Sequence, residues 1–293
     1  MRQSPYYLRS WRVAGLLVCS FFVGCNSIRL APPAPAKVEI EPLPALPNKK
    51  QMRVSQFVFY SEFELQRDLP IFEELSRLRD QVNKELQLPV ANTVVQVYLF
   101  ENRDRYERFM KSKYPDLPRR RAFFVAQPRS VGVAEDLLVY TYWGDRIQQD
   151  LRHELTHAIL HSVLKDVPLW LDEGLAEYFE VPLTWKGINY QHLDLLCSNS
   201  FKPNLARLEQ LSQVQQMTPA EYREAWAWVH LMLRDKPEAK AVLVHYLQGL
   251  RSNSNAGAMA PRLAAVYPQM EESLNQHLHR VDAKPRPTPT AQR

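Results

Sequence analysis

Residues 150–161 read Asp-Leu-Arg-His-Glu-Leu-Thr-His-Ala-Ile-Leu-His, and the spacing of the histidines limits what they can do. On a helix, His153 and His157 are four residues and about 40° apart, so both rings face one point. Neutral imidazole is a natural zinc ligand, and two rings on one rigid helix preset half a coordination shell. Glu154, about 100° round from His153, sits beside that point, where a carboxylate can take a proton from water. Leu151, Leu155, Ala158, Ile159, Ser162 and Val163 make the helix apolar or small over most of its circumference, which buries the histidines. Buried imidazoles need a partner. A metal is one candidate, and satisfied core histidines are the other.

Fifteen residues separate His157 from Glu173, enough for the helix to end, turn and return. The second segment, Pro168-Leu-Trp-Leu-Asp-Glu-Gly-Leu-Ala-Glu-Tyr-Phe-Glu180, opens on a first-turn proline and reads as a helix over 169–180. Glu173 and Glu177 lie four apart on one face. Gly174, in mid-helix, costs about 1 kcal/mol against alanine, so another backbone is expected to pass close by. Packing this helix on the first would supply that backbone and bring Glu173 to the metal as third ligand. Glu177, one turn on, is then placed to receive the free ring N–H of a ligating histidine. Two solvated glutamates on an amphipathic helix are the alternative. His161 is about 80° round and two turns along from His153, too far to share the metal.

These helices need a frame. A strand at 53–60 leads to a helix at 69–86, opened by Pro70, with Phe72, Leu75, Val82 and Leu86 on one stripe. A strand at 93–100 and an amphipathic helix at 102–113 follow, then short strands at 122–126 and 131–141. The metal helix spans 146–164 and is broken from the second helix at Asp166-Val167-Pro168. The remainder to about 279 reads as helical, with 219–234 and 237–251 the longest pieces. The fold class is α+β: a small mixed β-sheet with helices over 51–166, then a mainly helical C-terminal subdomain over 167–280. Tyr140, Tyr142 and Trp143 either line the cleft or pack beside the strands. Arg119-Arg120-Arg121 reads as a solvated loop, and Cys197 as an inert thiol.

The chain has 293 residues, 45% apolar and 24% charged, with a net charge of +5. That length supports one large core or two small ones and excludes wholesale disorder. Arg2, Arg9 and Arg12 fall in residues 1–24, which hold no acid. The rest is too nearly balanced for the dense basic face that phosphate binding needs, so nucleic acid is not an expected partner. The apolar run Val13–Gly24 is too short for about 30 Å of hydrocarbon. With the arginines before it, residues 1–24 read as a secretory signal. Six prolines between Ala31 and Lys50 make residues 25–50 a stiff tether, and 281–293 read as a disordered tail. Three cysteines cannot build a disulfide framework.

Two resemblances sharpen these expectations. His153-Glu154-Leu-Thr-His157 and Trp170-Leu-Asp-Glu173-Gly174-Leu-Ala-Glu177-Tyr178 resemble the gluzincin metallopeptidases, specifically the peptidase MA-like bacterial domains, whose motifs read HExxH and WL(N/D)EGxAEY. The resemblance implies a zincin-like fold with one zinc per chain on His153, His157 and Glu173. It also implies Glu154 as catalytic base and hydrolysis of a peptide bond in a peptide or protein substrate. A looser similarity, of Tyr222-Arg-Glu-Ala-Trp to Y-x-x-G-A, implies Tyr222 as oxyanion donor, although Ala225 and Trp226 depart from that pattern. His230 is the alternative donor, because other gluzincins use histidine. The strand at 131–141, just before the metal helix, would edge the cleft and pair with an extended substrate. A catalytically weak or inactive peptidase-like module for binding or envelope assembly is the competing function.

At the N-terminus, Phe22-Val23-Gly24-Cys25 resembles the lipobox of bacterial lipoproteins, with Phe22 where leucine is usual. Cys25 would then carry the lipid and hold the chain on a membrane. Asn26, in place of an aspartate, favours the outer membrane, facing the periplasm. A secreted soluble protein is the alternative.

Overall fold

In the computed structural model, which describes residues 45–128, 135–164, 166–198, 201–252 and 256–286, the first element is a hairpin. β1 (Lys50–Val54) and β2 (Phe57–Ser61) pair antiparallel around Ser55-Gln56, with Ser55 at φ 54°. The single strand expected at 53–60 is therefore two. Strand-forming residues run on through the segment, and no glycine or asparagine marks the two-residue loop. The signal segment, Cys25, most of the proline-rich tether and residues 287–293 lie outside the described residues.

α1 (Pro70–Leu86) crosses over to β3 (Val95–Phe100), which runs parallel to β2. α2 (Arg103–Lys113) follows, with Asn102 accepting the Arg105 N–H at 3.1 Å as its cap. β4 (Ala122–Pro128) and β5 (Glu135–Tyr142) complete a five-stranded mixed sheet of order β1-β2-β3-β5-β4. β5 is parallel to β3 and antiparallel to β4. The strand before the metal helix is thus internal, and β4 forms the edge. This corrects the expectation that the 131–141 strand edges the cleft, of which 131–134 lie outside the described residues.

Side chains alternate across the sheet. Phe57, Phe59, Val95, Val97, Leu99, Leu137 and Val139 face one apolar core, while Phe100, Leu138, Tyr140 and Tyr142 face a second one capped by Tyr106, Phe109 and Met110 of α2. The first core continues through α3 (Ile147–His161) and α4 (Leu169–Phe179). Tyr140 and Tyr142 are therefore packed rather than cleft-lining.

The rest is helical: α5 (Tyr190–Ser198), α6 (Leu205–Leu208), α7 (Pro219–Arg234), α8 (Pro237–Ser252), α9 (Ala260–Ala264) and α10 (Met270–Asp282). α7 starts where its sequence says it should. Thr218 and Glu221 form a reciprocal capping box, and Pro219 fills the first turn. One buried cluster joins the sheet to Trp226, Val229 and Leu243, across the division expected at 166–167. α10 runs past residue 281, where a tail was expected, and Arg286 beyond it pairs with Asp194. Among the described residues no helix is long and apolar enough to cross a membrane.

Candidate metal centre and cleft

α3 carries His153 and His157 on one face, and α4 packs against it and sets Glu173 beside both rings. Glu173 Oε2 lies 3.4 Å from His153 Nε2 and 3.6 Å from His157 Nε2. One ligand atom from each of the three falls within 4.8 Å of the others. Glu173 and His157 are buried, and His153 opens towards solvent. The arrangement of two imidazole nitrogens and one carboxylate matches a zinc donor set with a fourth position left to the cleft.

The far nitrogen of each ring is also engaged. His153 Nδ1 lies 2.9 Å from Glu180 Oε2, and His157 Nδ1 lies 3.0 Å from Asp172 Oδ1. Such carboxylates fix the tautomer and turn Nε2 towards the metal position. Glu177, expected in this role, is instead bonded to His192 Nε2 of α5 at 2.7 Å. The helix period explains the difference. Seven residues on from Glu173 is about 20° off its face and four residues on is about 40° off, so Glu180 is the better aligned of the two. The end of α4 is also tied down. Arg152, 1% exposed, donates to Phe179 O at 2.9 Å and to Glu74 Oε1 at 2.8 Å. Glu180 accepts from Gln149 and Asn189 as well. His161 lies on the far side of Asp172, with Nε2 3.0 Å from its Oδ2.

These contacts set the charges of the metal-free site. Burial works to lower the His157 imidazole, but Asp172 outweighs it and holds it up to about 10. His153 is likewise pushed down by burial and held well above the usual range by Glu173 and Glu180. Burial opposes the ionisation of Glu173, yet its bonds to the two histidines keep it well below the ordinary carboxylate range. Glu154 lacks such bonds, and burial pushes its carboxyl up. The carboxylates around the two rings thus hold them towards their charged forms, an arrangement a divalent cation can replace.

Gly174 does face a passing backbone, but not that of α3. A Cβ on Gly174 would meet Ala225 O of α7 at 2.7 Å and Val229 Cγ2 at 3.0 Å. This close crossing brings in Tyr222, one turn earlier on α7, whose hydroxyl donates to Glu173 Oε1 at 3.3 Å. Burial, with Glu173 beside it, pushes the phenol's pKa up. The Arg120 guanidinium donates to the Tyr222 oxygen, and its Nη1 lies 3.7 Å from Glu173 Oε1. Arg121 donates to Asp150 at 2.9 Å. Only Arg119 of the arginine run is exposed, so the solvated-loop reading is corrected for the other two. His230, the alternative oxyanion donor, is buried away from the cleft with its Nδ1 2.8 Å from His277 Nε2.

The resulting cleft is lined by Ala122 at the start of β4, by Tyr222, and by His153 and Glu154. Glu154 is 8% exposed, so its carboxylate is sheltered but reaches the cleft. No role falls to Asp172, Glu180 or His192 from the sequence, which reads Arg120 as part of a solvated loop.

Residues 148–254 match a family described as a protein of unknown function, DUF1570. Among solved structures the chain is similar to the M1 zinc metallopeptidase from Deinococcus radiodurans, at 15% identity and a TM-score of 0.40 over 79% of this chain. That match takes in 50% of the other structure, so this chain spans about half of its length. No curated protein matches.

Proposed function

We propose that the protein is a zinc-dependent peptidase, exported and held on a membrane through a lipidated Cys25. The observation that carries this reading is the convergence of His153 Nε2, His157 Nε2 and the Glu173 carboxylate, beside an open cleft that His153 and Glu154 line. They would hold one zinc per chain. When bound, zinc supplies a Lewis acid that acidifies a water and polarises the scissile carbonyl.

The other roles fall to side chains around that point. Glu154, lifted by burial and facing the cleft, takes the attacking water's proton on its carboxylate and passes it to the leaving amine. Tyr222 donates its hydroxyl proton to the carbonyl oxygen as that oxygen gains charge, and Arg120 holds the phenol in place. Glu180 and Asp172 hold the ligand rings in orientation. An extended peptide would add to the sheet along β4, the edge strand, whose first residue lines the cleft. The signal-like segment and lipobox-like Cys25 support an exported protein on the periplasmic face of the outer membrane.

Metal content and turnover test this together in the full-length protein. The expected result is one zinc per chain, weakened or lost in Glu173→Ala. Glu154→Gln should keep the zinc and lose peptide hydrolysis. Absence of zinc after careful reconstitution would overturn the reading. Zinc with no hydrolysis of any peptide would favour the binding module.

A further inference from the structure

α5 starts at an asparagine whose side chain makes two bonds of different kinds. Asn189 stands just before the helix, and its carbonyl accepts the Leu193 N–H at 3.0 Å, the first bond of the helical ladder. Its Oδ1 accepts the His192 N–H at 3.2 Å, as a helix cap does. Its Nδ2 donates to Glu180 Oε1 at 3.1 Å. The residue is 6% exposed, so each of these bonds replaces one that burial takes from water. The turn before it is also fixed. Gly187, at φ 82°, leaves room for the Tyr178 ring, and its carbonyl accepts from Trp226 Nε1 at 2.8 Å.

The helix by itself asks only for an acceptor at this position. Serine, threonine and aspartate cap comparably, and aspartate also suits the helix dipole. Of the four, asparagine alone pairs the accepting oxygen with a separate donor atom. Glu180, not the helix, therefore accounts for the amide. Glu180 in turn divides its oxygens. Oε1 takes Asn189 and Gln149, and Oε2 faces His153 Nδ1 at 2.9 Å. Both Oε1 donors are neutral amides, so they fix the carboxyl plane without cancelling its charge, which stays available to the ring. Gln149 lines the open cleft and also accepts from Arg146, whereas Asn189 is buried.

We propose that Asn189 is a positioning residue for the metal: its amide holds Glu180 so that Oε2 is presented to His153, and through that contact it sets how tightly the site binds zinc. The same side chain starts the helix that carries His192, the partner of Glu177. The cap of α5 and the orientation of the His153 ring are thus one structural event. The inference rests on the zinc-site reading and adds to it a residue two hydrogen bonds away from His153.

Two substitutions separate the cap from the amide. Asn189→Ser keeps an oxygen for the cap and gives up the amide, and Asn189→Asp keeps the cap and sets a like charge against Glu180. In the full-length protein, competition with a chelator should show zinc weakened about tenfold by the first and more by the second. The decisive measurement is a cycle with Glu180→Gln, which still stands if Asn189→Asp fails to fold. Once Glu180→Gln is present, Asn189→Ser should change zinc affinity by less than about twofold, because residues that act through one contact are not additive. A residue that only caps α5 would add its effect in full. The visible spectrum of the cobalt-loaded protein, which follows the arrangement of the ligand atoms, should change in Asn189→Ser as it does in Glu180→Gln. Parent-like zinc affinity in both Asn189 variants, or additive effects in the cycle, overturns the proposal and leaves the zinc site standing. No zinc in the parent overturns the site and the proposal together. Coupled effects in a protein that cleaves no peptide would overturn the peptidase reading alone.

Discussion

Gly174 of α4 faces the Ala225 carbonyl of α7 with so little room that an added Cβ would sit 2.7 Å from the oxygen. The missing side chain sets the separation of two helices, one carrying Glu173 and the other Tyr222. Gly174→Ala cannot be relieved by a side-chain rotation alone, because its closest contacts are with the Ala225 backbone. It should cost about 1–3 kcal/mol of stability, as overpacking does, and should lower catalytic turnover more than zinc affinity, since Tyr222 moves and the two histidines do not. Ala225→Gly should fail to rescue it, because the carbonyl remains. Chemical denaturation midpoints of the single and double variants check this, and full rescue by Ala225→Gly would show the contact to be with a side chain.

Ring orientation gives a second prediction. Glu180 and Asp172 hold the Nδ1 atoms of His153 and His157, whereas Glu177 is turned to His192. Glu180→Gln and Asp172→Asn should each weaken zinc about 10–100-fold. Glu177→Gln should weaken it severalfold less than either. Competition with a chelator of known affinity measures all three. The reverse order would restore the i+4 assignment made from sequence.

The contrast between those residues shows what was legible in the chain. His153, Glu154, His157 and Glu173 were readable because ligand spacing on a helix is a local property, fixed by 3.6 residues per turn. So were the starts of α1 and α7, announced by Pro70 and by Thr218-Pro219 with Glu221. The choice of Glu180 over Glu177 was open to the same arithmetic, but it also depends on Arg152 pinning Phe179. Arg120 was illegible. It comes to the centre from a loop more than a hundred residues before Tyr222, and nothing in an arginine triplet says which member turns inward. The partner of Gly174 was equally non-local: the sequence shows that a backbone passes there, not which one.

The buried pair His230 and His277 predicts an acid-side loss of stability. Burial lowers both rings, and His277 lowers His230 further, so the folded protein holds them neutral below their ordinary value. Asp235 faces His277 at 3.3 Å and works against this, while Arg234, Arg280 and Lys284 reinforce it. A base with a depressed folded pKa binds fewer protons in the folded state. Stability is therefore complete above the ordinary histidine range and falls as pH drops through about 6.5. His230→Leu should flatten that slope by about 1 kcal/mol per pH unit between pH 6 and 5. Urea titrations of zinc-loaded parent and variant across that range test it. Parallel slopes would show that the pair takes up protons without unfolding.

Zinc uptake should run the other way, with affinity rising as pH rises. In the metal-free protein His157 is held up to about 10, and His153 well above its usual value, by the carboxylates around them. His157 therefore carries a proton at pH 7.5 and His153 is held towards its charged form, and each ring must be neutral to become a ligand. Binding should release at least the His157 proton, and affinity should keep climbing beyond pH 8, where ordinary histidines would already be neutral. Asp172→Asn removes the main support of the His157 proton, so its release should drop by about one while affinity falls for the orientation reason given above. Calorimetry of zinc binding in buffers with different ionisation enthalpies counts these protons directly. A release near zero in the parent would mean that the rings are already neutral and that Asp172 and Glu180 orient them without holding charge.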